Sequence, residues 1–470
     1  MDLKAVKESF TELDDIVIEC RHFPNHQDVH LIYCKSLIDL QQINSMIVPE
    51  LQRLQKQVPS SDQESILSHS SMQLTTVNKL EDLIEAVFHG DVVMYWNQSQ
   101  ACASVPISNM PKRSTEETNI EVSIRGPKDG LVEDIETNIA LIRRRLPVSQ
   151  LAYEKRIIGG RTHTKVGLLY LKDKLDDDIL ALVRNKLDNI PSSIEELTSA
   201  NQLEELISDK PYSLFPLTAY TGRADFIASC LLKGRFTIII DGVPGAMIAP
   251  ATLPLLLKTP EDSHFNFLSS SLGRVLRMLS LISAIMLPSF FIALIGFHQD
   301  QLPFPFLATI VLTRLGTPLP APLEMLMVLL LLETFKEAGY RLPSMIGQTL
   351  TVVGGLIIGD AAIRAGILSP TIVVVGAISL VAGSTLISQT LAGTISTIRV
   401  IALLLSSLLG MYGFMLFTML LIVYMIGLTS FGIPYLSPFA PLRLKEILQA
   451  TFSLPLKWMG RVPKSLKKGD

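Results

Sequence analysis

The stretch IIIDGVPGAMIAPATL, residues 238–253, places an Asp-Gly pair and two prolines inside an apolar run. The residues that lead into it, RFTIII (235–240), have the β-branched content of a buried strand. Asp241 and Gly242 form a turn signal, and Pro244 with the prolines beyond it excludes a regular membrane helix. The sequence therefore predicts the last strand of a folded region, a turn capped by Asp241, and then the joint between two halves of the chain.

Composition sets the first limits on function. The 470 residues are 48% hydrophobic and only 18% charged, and the mean hydropathy is +0.37, which is too apolar for an ordinary soluble enzyme of several domains. The net charge of −3, without a dominant basic cluster, argues against nucleic-acid binding. Four cysteines without a CxxC pair argue against a disulfide framework or a zinc site. GxSxG, HExxH and P-loop motifs are absent from the sequence, so we expect no enzyme, no cofactor and no metal.

The N-terminal half carries acidic and basic residues at ordinary density. It begins with the polar sequence MDLKAVKESFTELDD, which lacks the apolar core of a secretory signal, so we expect it in the cytoplasm. Alternating strands and helices predict two α/β subdomains, 1–112 and 113–250, divided in the polar connection SNMPKRSTEETN. Predicted strands are 16–20, 29–34, 92–96 and 120–124, and predicted helices are 134–145 and 176–187.

The C-terminal half is predicted to be an all-α polytopic membrane domain, 274–430, after a linker or interfacial segment, 251–273. Runs of about 20 apolar residues, the length that crosses a bilayer core, occur at 276–297, 346–368, 371–393 and 400–428. Segment 303–337, interrupted by prolines, is either a re-entrant hairpin or a fifth span. Arg274 and Arg277 before the first span, and five Lys/Arg from 457 to 468 in the tail, 431–470, place both ends in the cytoplasm.

Small and mildly polar residues mark the third predicted span. Gly376, Ser379, Gly383 and Thr390 lie close to one face at helical spacing. Such a stripe has two interpretations: tight helix packing, or the wall of a water-filled pathway built from several copies. Packing is the simpler interpretation.

Ionisable residues at membrane depth are costly and therefore point to function. Glu324, Asp360 and Arg399 are candidates for an ion path or a gate, as is Arg364 more weakly. Asp360 and Arg364 are four residues apart and could simply pair on a helix, and Glu324 could simply head one. The histidines at 22, 26 and 30 have metal-ligand spacing for a helix, but Pro24 favours a loop and a strand instead.

Five motifs connect the chain to a known family. The run EVSIRGPKDGLVEDIETNIALIRRRL, residues 121–146, resembles the signature of the A subunits of GerA-type spore germinant receptors, in which RGP-x-x-G precedes a T-N-x-ALIRRR helix. Four further segments resemble the family in its order: DGVPGAMIAPATL (241–253), ETFKEAGYRLP (333–343), GDAAIRAGILSP (359–370) and SFGIPYLSPFAP (430–441). The resemblance covers about residues 10–445.

The sequence departs from the family pattern at several positions. TGRAD (221–225) replaces an expected T-E-R-P-D segment, and Lys336 replaces the arginine of REAG. Phe297 and His298 stand where a Tyr-His pair is usual, and Arg364 stands where the family has an acid. The last difference weakens any ion path through that position.

The resemblance implies an A subunit with two α/β cytoplasmic subdomains and a membrane domain, in the inner membrane of the bacterial endospore. It implies a homo-oligomer that forms a nutrient-gated channel for monovalent cations, together with a transporter-like B subunit and a lipoprotein C subunit. Arg125 and Arg143, Arg144 and Arg145 become candidate subunit contacts; alternatively they form a solvated face paired with Glu133, Asp134 and Glu136. A paralogue from a sporulation operon, a non-conducting scaffold and a secondary transporter remain alternatives.

Overall fold

The computed structural model describes residues 3–23, 28–57, 70, 72–97, 101–108, 121, 123–341, 357–453, 463 and 466. In the described N-terminal half, two five-stranded antiparallel sheets carry helices on their faces. The described C-terminal half is helical apart from one short hairpin. The predicted fold class, two α/β subdomains followed by an all-α domain, is confirmed.

The first sheet has the strand order β1-β2-β4-β5-β3. Its elements are α1 (Leu3–Ser9), β1 (Ile16–Arg21), β2 (Val29–Cys34), α2 (Leu40–Gln42), a π-helical turn (Ile43–Ile47), α3 (Val48–Gln57), β3 (Thr75–Thr76), α4 (Leu80–His89), β4 (Asp91–Trp96) and β5 (Ala101–Pro106). The buried side chains of α4, including Val87 and Phe88, cover one face of this sheet. The strands predicted at 16–20, 29–34 and 92–96 are confirmed, and His30 lies in β2 as expected.

The second sheet has the order β6-β7-β9-β10-β8. Its elements are α5 (Ile135–Arg145), β6 (Leu151–Ile158), β7 (Thr164–Leu171), α6 (Asp177–Asp188), α7 (Ala200–Ile207), β8 (Ala219–Thr221), α8 (Ala224–Leu231), β9 (Phe236–Ile240), β10 (Ala246–Ala249) and α9 (Leu253–Leu256). Asp134 caps α5 by accepting from the Thr137 N–H at 2.8 Å, and Asp176 caps α6. Both predicted helices are confirmed.

The strand predicted at 120–124 is wrong for the residues that the structure describes there. Glu121, Ser123 and Ile124 lie outside any strand. The Ser123 hydroxyl instead donates to the Glu261 carboxylate at 3.3 Å. A hydrogen bond to a residue far along the chain has therefore outweighed the strand preference of the β-branched residues in this segment. The predicted subdomain boundary at 112/113 lies outside the described residues.

The stretch at 238–253 is a hairpin of the second sheet. β9 is wholly buried because it lies between β7 and β10, and Ile238 pairs with Met247 across the hairpin. Gly242 takes a positive φ of +85° in the turn, as the Asp-Gly signal predicts. The sequence predicted β9 as the last strand of this half, but β10 follows it.

The helical half consists of long helices and one helical hairpin. Its elements are α10 (Phe267–Phe297), α11 (Phe304–Arg314), α12 (Ala321–Arg341), α13 (Pro370–Ser384) and α14 (Gln389–Ile426), with residues 357–364 also helical. Among the described residues, two helices have the length and apolarity of a membrane-crossing helix: Phe267–Phe297 and Thr390–Ile426. Segment 303–337 forms the hairpin of α11 and α12, and residues 346–356 of the second predicted span lie outside the described residues.

The helices in the region of the last two predicted spans have other bounds than those spans. The predicted span 371–393 is not one helix, because α13 ends at Ser384 and α14 begins at Gln389. The predicted span 400–428 is the greater part of α14, whose helical geometry is interrupted at Gly410, with φ +63°. A side chain at Gly410 would lie 2.7 Å from the Phe297 ring. Close packing on α10 thus fixes the position of this interruption.

The segment predicted as a cytoplasmic tail, 431–470, begins inside the fold. β11 (Thr429–Ser430) and β12 (Ile433–Pro434) form a hairpin, and α15 (Leu444–Thr451) follows it. The Phe431 ring packs edge-on against Phe236 of the second sheet, with centroids 4.9 Å apart. A hydrophobic anchor therefore holds the chain after α14 on the N-terminal half.

Candidate functional site

The two halves meet in a cluster of buried charges around a short turn. After α9 the chain forms a 3-10 turn, Pro260–Ser263, whose Thr259 side chain accepts from the Glu261 N–H at 3.1 Å. Glu261 and Asp262 are 6% exposed each, and their carboxylates bind different partners. This turn directly precedes α10, so it is the point at which the second sheet passes into the helical half.

The Glu261 carboxylate binds the RGP motif and the TGRAD motif together. It accepts from the backbone N–H groups of Arg125 at 2.9 Å and Gly126 at 3.2 Å, and from the Arg223 guanidinium at 2.5 Å. Burial opposes its charge, but the Arg223 guanidinium and these N–H groups outweigh burial and lower the pKa of Glu261 to about 2. A side chain at Gly126 would clash with the Arg223 guanidinium, so a larger residue there would displace Arg223 from this position.

Arg223 also binds Asp225, which links the cluster to the start of α8. Its two bonds to the Asp225 carboxylate are 3.0 and 2.7 Å, and Arg223 is 2% exposed. Burial opposes the charge of Asp225, but Arg223 and His264 lower its pKa. The two acids that flank Arg223 therefore remain charged at neutral pH.

The Asp262 carboxylate binds the first turns of α10. It accepts from Arg274 at 2.9 Å and from Arg277 at 2.5 Å, and Arg277 also donates to the Leu257 carbonyl. The two arginines that the sequence marks as membrane-flanking thus hold α10 on the turn. A displacement of the RGP loop or of α8 would reach α10 through two adjacent residues, Glu261 and Asp262.

A second connection runs through the end of α14 and the hairpin after it. The Ser430 hydroxyl donates to the Leu217 carbonyl at 2.7 Å and accepts from the Ala251 N–H at 3.0 Å. The Tyr424 hydroxyl accepts from the Leu214 N–H at 2.9 Å, and the Thr394 hydroxyl donates to the Leu214 carbonyl at 2.7 Å. Helices α10 and α14 are therefore both bonded to the second sheet and its loops.

A polar cluster lies inside the helical half. Arg399 of α14 is 2% exposed and donates to Glu333 of α12 at 3.1 Å and to Ser379 of α13 at 3.2 Å. The Ser379 hydroxyl donates to the Ala284 carbonyl of α10 at 2.9 Å. Arg399, Ser379 and Glu333 thus connect four helices. Ser379 and Arg399, which the sequence marked as candidates, act here as helix-packing groups.

Glu324 is fully buried at the beginning of α12. Its carboxylate accepts from the Ser369 N–H, the N-cap of α13, and lies 3.7 Å from the Arg314 guanidinium of α11. A carboxylate at a helix N-terminus is stabilised by the helix dipole. Glu324 therefore joins α11, α12 and α13, whereas the other proposed acid, Asp360, lies on the surface.

Asp360 and Arg364 form an ion pair four residues apart on one helix, which was the simpler interpretation of these two residues. The pair measures 2.7 Å, with side chains 54% and 79% exposed. Of the small-residue positions, Gly376 packs against Val328 and Gly383 faces Ala284 at 3.9 Å. Thr390 is exposed and lies beyond the break at Ser384, so the four predicted positions do not form one stripe on one helix.

The structure separates the four candidate contact arginines. Arg143 is fully buried and binds Asp15 at 2.5 and 2.8 Å, so a subunit contact by this side chain is wrong: it joins the two subdomains of one chain. Arg145 binds Asp129 at 2.5 Å, while Arg144 is exposed and Arg125 stacks over Phe265 at 5.2 Å. The alternative interpretation paired these arginines with Glu133, Asp134 and Glu136. The acids that the structure places beside them are instead Asp15 and Asp129.

The predicted joint residues Asp241, Gly242 and Pro244 lie within the second subdomain, whereas the buried charges at 261 and 262 lie in the predicted linker, 251–273. Asp241 Oδ1 accepts from the Ile135 N–H at 3.2 Å, and the Gly242 N–H donates to the Glu133 carbonyl at 2.7 Å. The turn with Pro244 therefore binds the N-terminus of α5 within the second subdomain, while the joint lies at Glu261 and Asp262. Sequence reasoning missed these two acids, although TPED (259–262) has the Thr-x-x-acid pattern of a helix start.

One group of side chains has donor atoms close enough to hold a metal ion. Cys20, His22 and Asp28 have donor atoms within 4.8 Å of one another among the described residues. His22 already binds Asp28 at 2.9 Å and both are exposed, which matches an ordinary surface pair. Residues 24–27 between them lie outside the described residues.

Comparison with known proteins matches this chain over almost its full length. The profile of the family described as "Bacillus/Clostridium GerA spore germination protein" matches residues 4–465. Spore germination protein XA of Bacillus anthracis is 41% identical over 94% of this chain and 90% of its own length. Spore germination protein KA of Bacillus subtilis (strain 168) is 31% identical over 100% of this chain and 87% of its own.

A solved structure is also similar to the N-terminal half. It is the N-terminal domain of the A subunit of the Bacillus megaterium spore germinant receptor GerK3, with 24% identity and a TM-score of 0.40, over 53% of this chain and 94% of that chain. The family assignment rests on the sequence matches, and the family profile match over 4–465 includes every motif segment quoted above. The chain belongs to the GerA family of spore germination proteins.

Proposed function

We propose that this chain is the A subunit of a spore nutrient-germinant receptor and that it acts as a nutrient-gated ion channel and signal transducer. Family membership supports the role in germination. The observation that carries the transducer role is the adjacent pair Glu261 and Asp262, which bonds the RGP loop and Arg223 on one side and α10 on the other. Nothing in this arrangement calls for catalytic chemistry, and we propose no enzymatic activity.

The proposed receptor lies in the inner membrane of the bacterial endospore, with both chain ends in the cytoplasm. The two apolar helices, Phe267–Phe297 and Thr390–Ile426, support insertion. The chain would form a homo-oligomer and act with a transporter-like B subunit, which binds the nutrient, and a lipoprotein C subunit. Monovalent cations would be the permeant ions.

Within one chain, the groups that could respond to gating are the buried ones. Glu324 and Arg399 each hold three or more helical segments through charged bonds, so a change in helix packing must break or remake them. Exposed apolar residues of α14, such as Leu408 and Met415, leave a surface for lipid or for neighbouring copies. The ion path itself would then be formed between subunits.

The test is single-channel recording from the full-length protein reconstituted into planar bilayers, alone and with the B and C subunits. Discrete ohmic steps carried by K⁺ or Na⁺ support a channel. Solute flux coupled to an ion gradient would instead support a secondary transporter. Silence with all three subunits present, in a preparation whose spores still germinate, would support a scaffold.

Two matched variants make the recording a test of particular residues. Arg399→Met removes a buried bond network, whereas Arg364→Gln removes an exposed pair of the same type. We expect Arg399→Met to change open probability or conductance and Arg364→Gln to leave both unchanged. Genes for B- and C-type subunits beside this one would distinguish a receptor subunit from the sporulation-operon paralogue.

A further inference from the structure

A cavity lined by positively charged side chains lies beside the joint between the two halves, near the turn Pro260–Ser263. Of the residues that line it, Arg274 also takes part in the bonds described above. The volume of the cavity is about 120 Å³, compared with about 10–15 Å³ for one water molecule by the same measure. Four cations line it, from the end of α8, the start of β9, the segment after α9 and the start of α10: Lys233, Arg235, Lys258 and Arg274. One carboxylate, Glu446 of α15, faces them.

Two of the four cations donate to neutral partners. Arg235 is 7% exposed, and its Nε donates to the Pro250 carbonyl at 3.1 Å. Lys233 donates to the Ser229 hydroxyl at 3.0 Å. The nearby carboxylate of Asp262 is bound to Arg274 and Arg277 instead. The four cations that line the cavity therefore outnumber the one carboxylate, Glu446, among the described residues that line it.

This excess charge has an electrostatic cost. Burial lowers the pKa of Lys258 to about 7, and the neighbouring Lys233, Arg274 and Arg235 add to that effect. Burial also lowers the pKa of Lys233 and that of Arg235. Like charges held close together disfavour their own protonated forms, and a bound anion removes this penalty.

The number and type of cations favour a phosphate group over a single carboxylate. Guanidinium and ammonium groups that converge from several directions suit an oxyanion with several charged oxygens. Pro463 and Leu466 also line the cavity. On the outer side of α15, Leu444 and Leu448 are 75% and 53% exposed, which places apolar surface beside the cavity.

We propose that this cavity is a binding site for a phosphate group, supplied either by the headgroup of an anionic phospholipid or by free inorganic phosphate. The occupant would bridge the second sheet, the start of α10 and α15, and so would stabilise the junction. This site is independent of whether the protein conducts ions. It requires only that the folded chain be present.

The test uses the full-length protein and three variants of lysine or arginine. Lys258→Gln and Arg235→Gln remove cations that line the cavity, and Lys445→Gln removes an exposed lysine of α15 that does not line it. In lipid-free detergent, the thermal unfolding midpoint is measured against inorganic phosphate, with chloride at equal ionic strength as the control. In nanodiscs, phosphatidylcholine alone is compared with phosphatidylcholine plus phosphatidylglycerol, and retained lipid is counted by native mass spectrometry.

We expect one of the two probes to raise the unfolding midpoint of the wild-type protein and of Lys445→Gln. In Lys258→Gln and Arg235→Gln the apparent affinity should fall about tenfold or more, because a charged contact is lost. Stabilisation by phosphate in detergent identifies the free anion, and stabilisation only with phosphatidylglycerol identifies the headgroup. Without either probe, Lys258→Gln should be no less stable than the wild type, since it removes a repelled charge.

Two results would overturn the proposal. The first is that neither phosphate nor phosphatidylglycerol shifts the midpoint of the wild-type protein. The second is that the cavity variants respond as strongly as Lys445→Gln, which would mean that the anion binds elsewhere.

Discussion

The Arg277 guanidinium donates a hydrogen bond of 2.5 Å to the Asp262 carboxylate, 15 residues earlier in the chain. Both side chains are buried, at 9% and 6% exposure. The bond fixes the start of α10 on a turn whose preceding residue, Glu261, holds the RGP loop. A change in the N-terminal half can therefore reach the first apolar helix through a single peptide unit.

Asp262→Asn should uncouple α10 from this turn. The amide keeps the shape but loses the charge that binds Arg274 and Arg277, at a cost of about 2–4 kcal/mol for buried charge-assisted bonds. We expect a lower unfolding midpoint in detergent and a weaker germination response in spores. Asp360→Asn, which changes an exposed pair, is the control and should cost about 0–0.5 kcal/mol. Equal effects of the two variants would contradict this assignment.

Glu261→Gln should change the acid stability of the protein. The pKa of Glu261 is about 2 in the folded chain, against an ordinary value of 4.5. Because the folded pKa is the lower one, its stabilisation is complete above about pH 4.5 and is lost as the pH falls towards 2. Glu261→Gln should therefore be less stable at pH 7, and its stability should fall less steeply between pH 4.5 and 2. Glu196→Gln, at an exposed site, should follow the wild-type profile; parallel profiles for all three proteins would show that Glu261 is not the group responsible.

Gly376→Ala tests whether the small residues of α13 are packing positions. The added Cβ would lie 2.7 Å from Val328 Cγ1 of α12, and overpacking of this kind costs about 1–3 kcal/mol. Gly383→Ala is the matched control, because its nearest neighbour would be Ala284 Cβ at 3.9 Å. Thermal unfolding should separate the two variants, and Val328→Ala should restore the stability of Gly376→Ala. Failure of that rescue would argue against direct contact as the cause.

Arg399→Met should destabilise the helical half by about 1–3 kcal/mol, because Ser379 and Glu333 lose a buried charged donor. Arg364→Gln, in the exposed pair, should change stability by no more than about 0.5 kcal/mol. Urea unfolding monitored by helix content gives the comparison. A Ser379→Ala change added to Arg399→Met should be less costly than in the wild type, since the two side chains share one bond.

Much of the local structure could be predicted from the sequence. The helices at 134–145 and 176–187 begin at Asp residues that do cap them, because capping depends on neighbours within three positions. The strands at 29–34 and 92–96 follow from their β-branched and aromatic content. Where the prediction was wrong at 120–124, the distant Glu261 carboxylate binds the Ser123 hydroxyl and the Arg125 N–H instead. The break after Ser384 separates α13 from α14, which Ser388 caps.

The sequence by itself determined the division into a charged α/β half and an apolar helical half, and the family, because composition and ordered motifs need no coordinates. Only the tertiary structure decided where the halves are joined. Glu261 and the Gly126 N–H are 135 residues apart, and Arg143 and Asp15 are 128 apart. Such pairs leave no periodic pattern in the chain, since a buried charge is placed by the partner that neutralises it rather than by its sequence neighbours.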